Sequence, residues 1–262
     1  MLAFAVGGVQ DAAWVVTDRR GRVARSLEGP ASGKASFGPD GAVVFQRVFG
    51  STSEIWLTPG GDAPPVRLLG GDAYLYRDPA VSPDGKVLAC AVADDPDSRT
   101  HLALVELDTG RRIDLPSAAK CGDANPIWEA GGEALIFETT QSDHRALFRL
   151  HLADNRLTRL TPETEVACRP ASVAPGVLLY QSVGGGERPQ LMLCDYGSKD
   201  GDPHTHPLRT DEEDRLRCDP AVHVGKNGKV RIAFAAMKDQ AELTGEPPRF
   251  DVYVAQLAGL PK

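Results

Sequence analysis

Apolar and polar positions follow one another along this chain in short runs, each bounded by glycine, proline or aspartate. In the clearest stretch Val87-Leu88-Ala89-Cys90-Ala91-Val92 is followed by a polar loop from Ala93 to Thr100. Then come His101-Leu102-Ala103-Leu104-Val105-Glu106-Leu107, the turn Asp108-Thr109-Gly110, and Arg112-Ile113-Asp114-Leu115. Runs this short, rich in Val, Leu, Ile and Phe and closed by turn residues, predict strands rather than helices. The same grammar returns at Ala42 to Phe45, Ser53 to Leu57 and Val66 to Leu69, and again at Ala134 to Phe137, Ala146 to Leu150 and Arg156 to Leu160. It continues at Val177 to Tyr180, Gln190 to Cys194 and a strand near His206 to Arg209, and ends with Val230 to Phe234 and Phe250 to Ala255. Residues 1–30 add three strand-like runs around Phe4, Trp14 and Val23.

A proline cassette sets the spacing of these runs. It reads Asp78-Pro79-Ala80-Val81-Ser82-Pro83-Asp84-Gly85, then Asn125-Pro126-Ile127-Trp128, Arg169-Pro170-Ala171-Ser172 and Asp219-Pro220-Ala221-Val222, with intervals of 47, 44 and 50 residues. Periods of about 40 to 50 residues signal β-propeller blades. Counting the cassette as an innermost strand gives four-stranded antiparallel meanders. The expectation is an all-β, six-bladed β-propeller in one domain over residues 1–262, with blades near 1–30, 31–72, 73–118, 119–163, 164–211 and 212–262. The first unit has no cassette strand and the last has three strands, so five blades with closure strands is the alternative. Residues 1–30 would complete the seam, since a propeller hides its edges.

Proline cannot donate to a β-ladder, so it marks strand starts and bulges. Aligning the units on it places Lys34, Asp78, Asn125, Arg169 and Asp219 at one position, with Ala35 in the place of proline in the second unit. In a propeller these five polar residues would ring one mouth of the central channel, a candidate partner-binding surface. The alternative is that each caps its own strand and faces water. Their mixture of charges can pair internally, which argues against a dedicated cation site.

Composition narrows the classes of function. The net charge is −7 and the pI near 5.4, with no basic stripe, so nucleic acid is not an expected partner. Five cysteines, Cys90, Cys121, Cys168, Cys194 and Cys218, contain no CxxC pair, which favours free thiols over a zinc cluster or a disulfide framework. Cys168 and Cys218 hold equivalent positions in neighbouring units, too far apart for a bond. No run approaches the roughly 18 apolar residues of a membrane span, and Met1 to Gly8 lacks the cationic flank of a secretory leader. Compartment stays open: the sequence as it stands reads as cytoplasmic.

The cassette, its Ser82-Pro83-Asp84-Gly85 turn, Glu54-Ile55-Trp56-Leu57 and the closing Arg156-Leu157-Thr158-Arg159-Leu160-Thr161 resemble the WD40-like (PD40) repeat of the TolB propeller family, over roughly residues 31–255. The resemblance implies a bacterial, six-bladed ring that binds protein partners, in the periplasm if a leader has been removed. The same repeat is similar to that of propellers attached to prolyl peptidases and of some sugar-degrading lyases. TolB carries an α/β domain before its propeller, whereas only blade-like strands precede residue 31 here.

No Gly-Xaa-Ser-Xaa-Gly elbow occurs, and no catalytic triad is expected. His204-Thr205-His206 beside Asp202 has chelating spacing, but the segment from Ser198 reads as a surface hairpin loop. His101, His144 and His151 read as surface residues, and His223 follows the last cassette. Asp94-Asp95-Pro96-Asp97-Ser98 lacks the glycine and distal glutamate of a calcium loop. Asp211-Glu212-Glu213-Asp214 reads as a linker and Gly184-Gly185-Gly186-Glu187 as a hairpin tip. Trp14, Trp56 and Trp128 are expected to pack between blades. The reading is a non-catalytic scaffold binding a protein or peptide at the channel mouth or on the loops joining second and third strands, without cofactor or metal. The alternative is a metal-dependent carbohydrate-active lyase or hydrolase using the mouth or the His204 region.

Overall fold

A computed structural model describes residues 2–6, 13–17, 23–27, 31–39, 41–59, 63–116, 122–140, 144–183, 189–197, 201–208, 216–224, 229–237 and 251–256. Its strands form six antiparallel sheets, each built from strands consecutive in sequence. The first sheet holds β1 (Leu2–Val6), β2 (Ala13–Thr17) and β3 (Val23–Leu27). A four-stranded sheet follows, of β4 (Ala31–Phe37), β5 (Val43–Phe49), β6 (Thr52–Thr58) and β7 (Val66–Leu69). The next has β8 (Leu75–Val81), β9 (Val87–Ala93), β10 (His101–Glu106) and β11 (Arg112–Asp114). Then come β12 (Ala124–Trp128), β13 (Ala134–Thr139), β14 (Ala146–His151) and β15 (Arg156–Arg159). The fifth sheet is β16 (Ala167–Ala174), β17 (Val177–Ser182), β18 (Gln190–Asp195) and β19 (His204–Pro207). The last has β20 (Leu216–Val224), β21 (Val230–Met237) and β22 (Asp251–Gln256).

These are β-propeller blades, but the count of complete ones departs from the six expected. Four blades have all four strands; the first and last sheets have three each among the described residues. Residues 1–30 carry no proline cassette to make an inner strand, and in the last unit residues 238–250 and 257–262 lie outside the described residues.

Two compact units divide the chain, Met1–Trp128 and Glu129–Lys262. The first centres on a cluster of Val44, Ile55, Tyr76, Leu88, Cys90, Val92, Ala103 and Val105. The second has its own, including Val173, Leu179, Leu191, Leu193, Val230, Ile232 and Phe234. In both, second strands are buried on both faces: β13 and β17 throughout, and β9 from Leu88 onward. Stacked blades cover a second strand from both sides, so it reads as an unbroken apolar run instead of an alternating one. Outer strands such as β7 and β15 are largely uncovered.

The turn after β8 shows why the cassette has its residues. The Ser82 amide donates to Val87 O at 2.8 Å and the Ser82 hydroxyl donates to Asp84 Oδ1 at 2.6 Å. Asp84 also accepts from the Lys86 amide at 3.1 Å, and Gly85 takes a φ of 75°. A Cβ on Gly85 would stand 2.9 Å from Pro39 Cγ, in the corresponding turn of the preceding blade. Glycine serves here both the backbone angle and the close approach.

Candidate functional site

The residue before proline occupies an unusual backbone state. Asp78, Asn125 and Arg169 have φ of 51°, 48° and 54°, the left-handed region that L-residues seldom enter. In β8 the register jumps from Arg77↔Ala91 to Ala80↔Ala89, so Asp78 and Pro79 together face Cys90. The same jump surrounds Arg169-Pro170 in β16 and Asp219-Pro220 in β20. Each is a β-bulge, which bends the strand and re-aims the bulged side chain. Lys34 departs from the pattern. In β4 the irregularity lies between Ala31 and Ala35, and the positive φ falls on Gly33 at 70°, one residue earlier.

A bulge leaves a backbone amide off the ladder, and buried amides need partners. In the first unit, the Asp78 amide donates to Gln46 Oε1 at 3.3 Å, from β5 of the preceding blade. Gln46 is held by its own amide, which donates to Ser53 Oγ at 2.9 Å, while Ser53 donates to Tyr76 O at 2.7 Å. A Cβ on Gly33 would collide with the Gln46 side chain, so glycine makes room for it. The Asn125 amide donates to Asp78 Oδ2 at 3.2 Å. Ala91 stands in β9 where Gln46 stands in β5; it has no oxygen to offer, and the Asp78 carboxylate takes over. In the second unit the Arg169 amide donates to Glu138 Oε1 at 2.6 Å, from β13 of the preceding blade. Gln46 and Glu138 are buried polar residues that follow apolar runs in their second strands.

Other contacts tie inner strands together within the first unit. Lys34 Nζ donates to Pro126 O at 2.8 Å, reaching from β4 to β12. Trp128 Nε1 donates to Ala80 O at 2.9 Å, and the Val81 amide donates to Ser36 Oγ at 3.0 Å. Trp128 thus bridges two blades as expected. Trp56 instead receives the Arg47 guanidinium over its ring at 4.4 Å. Arg169 is solvent-exposed, Lys34, Asp78 and Asn125 are half-buried, and Asp219 lies on β20.

Histidine positions differ partly from expectation. His204 and His206 sit on strand β19 instead of a loop, paired with Asp195 and Leu193, and both are exposed. Among the described residues no three His, Cys, Asp or Glu side chains gather closely enough to hold a metal ion. His101 is half-buried, its Nε2 at 3.5 Å from Asp114, and His151 Nδ1 meets Asp154 at 2.7 Å. Within the acidic turn, Asp95 accepts from the Asp97 amide and the Ser98 hydroxyl. Cys90, Cys168 and Cys194 are free and buried. The side chain of Cys218 and all of Cys121, Gly184 to Glu187, Asp211 to Asp214 and the 238–250 loop lie outside the described residues. Among the described residues no helix is long and apolar enough to cross a membrane.

Sequence reasoning missed a polar cleft of about 420 Å³ in the second unit. Its floor is an ion pair: Arg149 Nε and Nη2 reach Glu129 Oε1 and Oε2 at 2.6 and 2.8 Å. The Tyr196 hydroxyl also favours the charged form of Glu129. Burial pushes the Glu129 carboxyl upward, but Arg149 and Tyr196 outweigh it and hold it below the usual carboxylate range. Burial and the same carboxylate drive the Tyr196 hydroxyl upward. One signal in the sequence was available: Glu129 begins its turn where the third blade has Ser82.

No family model matches the chain, and no curated protein is similar to it. Solved structures do share its fold. TolB from Acinetobacter baumannii aligns at 14% identity and a TM-score of 0.69, over 90% of this chain and 60% of that one. The chain therefore spans less than two thirds of that relative's length. A structure of the nidogen/laminin complex aligns at 13% identity and a TM-score of 0.63, over 90% of this chain and 88% of that one. A prolyl endopeptidase aligns at 14% identity and a TM-score of 0.56, over 97% of this chain but 40% of its own. The fold is a TolB-like β-propeller.

Proposed function

We propose that the protein is a non-catalytic scaffold that binds a protein or peptide through the polar residues at its inner-strand bulges, Lys34, Asp78, Asn125, Arg169 and Asp219. The observation that carries this reading is the backbone at Arg169. An arginine in the left-handed region costs about 1–2 kcal/mol, and its side chain is nonetheless exposed. Strained backbone persists where the surrounding structure over-determines it, and it clusters at binding sites. The fold supports the reading, since one structure that shares it is of the nidogen/laminin complex. The inference includes closure of the six sequence units into six blades, with the two three-stranded sheets as its incomplete members.

Affinity capture from lysate of the source cells, compared between the wild-type chain and an Arg169→Ala, Asp219→Ala double variant, tests the proposal. A protein retained by the wild type and depleted at least tenfold on the folded double variant supports it. Equal capture by both, or no specific capture, overturns it.

A further inference from the structure

The cleft in the second unit is a built cavity, and its walls say what it takes. On one side stands the face of β14 and β15, where Arg149 lies opposite Thr158 and His151 opposite Arg156. By strand alternation these side chains share a face. The other wall is made of turns with little or no side chain: Pro175-Gly176 after β16, Gly197 after β18, and Gly201 and Pro203 before β19. Gly176 and Gly197 touch through their backbones; a Cβ on Gly176 would stand 2.8 Å from the Gly197 Cα. The Tyr196 and Gly197 amides both donate to Gly176 O, at 2.8 and 3.1 Å, which fixes the Tyr196 ring at the cleft edge. Space that side chains would otherwise fill is left open. Its size falls within the range of small-ligand sites.

Charge is distributed unevenly across this space. Glu129 and Arg149 neutralise one another at the floor. The other charges on the lining are the Glu133 carboxylate at the inner turn, which also acts on Arg149, and the Arg156 guanidinium at the outer hairpin. The Glu133 backbone oxygen accepts from the Leu152 amide at 3.0 Å, and Gly131 leaves its side chain room, since a Cβ there would run into its carboxylate. Arg156 Nε is 3.8 Å from Asp154, a loose pairing beyond hydrogen-bond length, and its side chain is 65% exposed. Glu133 and Arg156 lie two strands apart, a span of about 10 Å between backbones. An acceptor at one end and a donor fork at the other, with opposite charges and a neutral polar floor between, match a short molecule with a positive and a negative end.

The geometry points to a second binding site in this cleft, for a short peptide with free termini, its ammonium on Glu133 and its carboxylate on Arg156 beside Thr158. This site is separate from the inner-strand bulges. Arg169 lies near the start of β16 and Pro175 just past its end, six residues on.

Titration calorimetry of the full-length chain with triglycine, N-acetyl-triglycine and triglycinamide tests the assignment. Triglycine should bind with one-to-one saturation, and blocking either end should weaken it at least tenfold. Glu133→Gln should abolish the distinction between triglycine and its N-acetyl form while leaving that against the amide. Arg156→Gln should do the reverse. Both positions are exposed and the replacements nearly isosteric or shorter, so folding is retained; Gly131→Ala, which crowds Glu133, should mimic Glu133→Gln. Absence of saturable triglycine binding overturns the proposal. So does binding whose terminal preferences survive both substitutions, or tighter binding of an uncharged sugar such as glucose or maltose than of triglycine.

Discussion

Glu138 shows how much one buried residue can carry. Its carboxylate accepts the amide of Arg169 in the next blade and lies 3.9 Å from Arg145. Removing the acceptor leaves a backbone N–H without its partner, so Glu138→Ala should lower unfolding free energy by about 1–3 kcal/mol. Glu138→Gln keeps an oxygen in place and should lose less; urea denaturation of both reads the difference. Arg169 offers the opposite experiment. Glycine enters the left-handed region without the Cβ penalty, so Arg169→Gly should leave stability unchanged or raise it by up to about 1 kcal/mol. If the arginine is kept for binding, the same variant should lose partner capture.

Acid should weaken the cleft floor. The folded Glu129 carboxyl is held below the usual carboxylate value, so its pair with Arg149 contributes stability above that value and loses it as pH falls through the folded one. Thermal denaturation between pH 5 and pH 3 should therefore show a steeper fall for the wild type than for Glu129→Gln. The thiols behave differently. Burial pushes Cys90 and Cys194 up to about 12, so both should stay unmodified by N-ethylmaleimide at pH 8 in the native protein and react once it is denatured, as peptide mass mapping would show.

At the scale of elements, inner and second strands were the easiest to read. Apolar runs such as Val87 to Val92 and Val177 to Tyr180 are long, β-rich and bounded by turns, and the structure has strands there. The cassette was also legible, because proline advertises a broken ladder. What escaped was the partner of each break. Gln46 and Glu138 fall one residue past the apolar runs Ala42 to Phe45 and Ala134 to Phe137, and nothing in a single sequence says that a polar residue there points at the next blade. The cleft was hidden for a different reason. It is made by missing side chains at Gly176, Gly197 and Gly201, which become neighbours only through folding. Lys34 shows the limit of alignment by proline: where Ala35 replaces it, the kink slips to Gly33. The sequence reads His204 as loop because Gly201, Asp202 and Pro203 dominate the local composition, but the strand expected near His206 begins earlier, and pairing with β18 extends the blade through both.

For the whole molecule, two hydrophobic clusters in two compact units suggest separable stability. Leu88 is fully buried in the first cluster, and Leu88→Ala should destabilise by about 2–5 kcal/mol. Native-state hydrogen exchange should show the greater loss of protection across Val43 to Glu106, with Val173 to Phe234 less affected. Uniform loss across both would show that the units open as one. Repeat architectures have stability that is a sum of units and nearest-neighbour terms, and every sheet here is made of strands adjacent in sequence.

The amide caps have a consequence for anyone who would rebuild this protein from parts. The oxygen that serves a bulge is supplied by the blade before it, either from the second strand, as with Gln46 and Glu138, or from the bulge itself, as with Asp78. A blade is thus not a self-sufficient cartridge. Exchange at blade boundaries would deliver a kinked strand to a neighbour with the wrong acceptor, as Ala91 would be without Asp78. Cuts placed between the inner and second strands, so that Gln46 and Glu138 travel with the kinks they serve, should give chimaeras that fold.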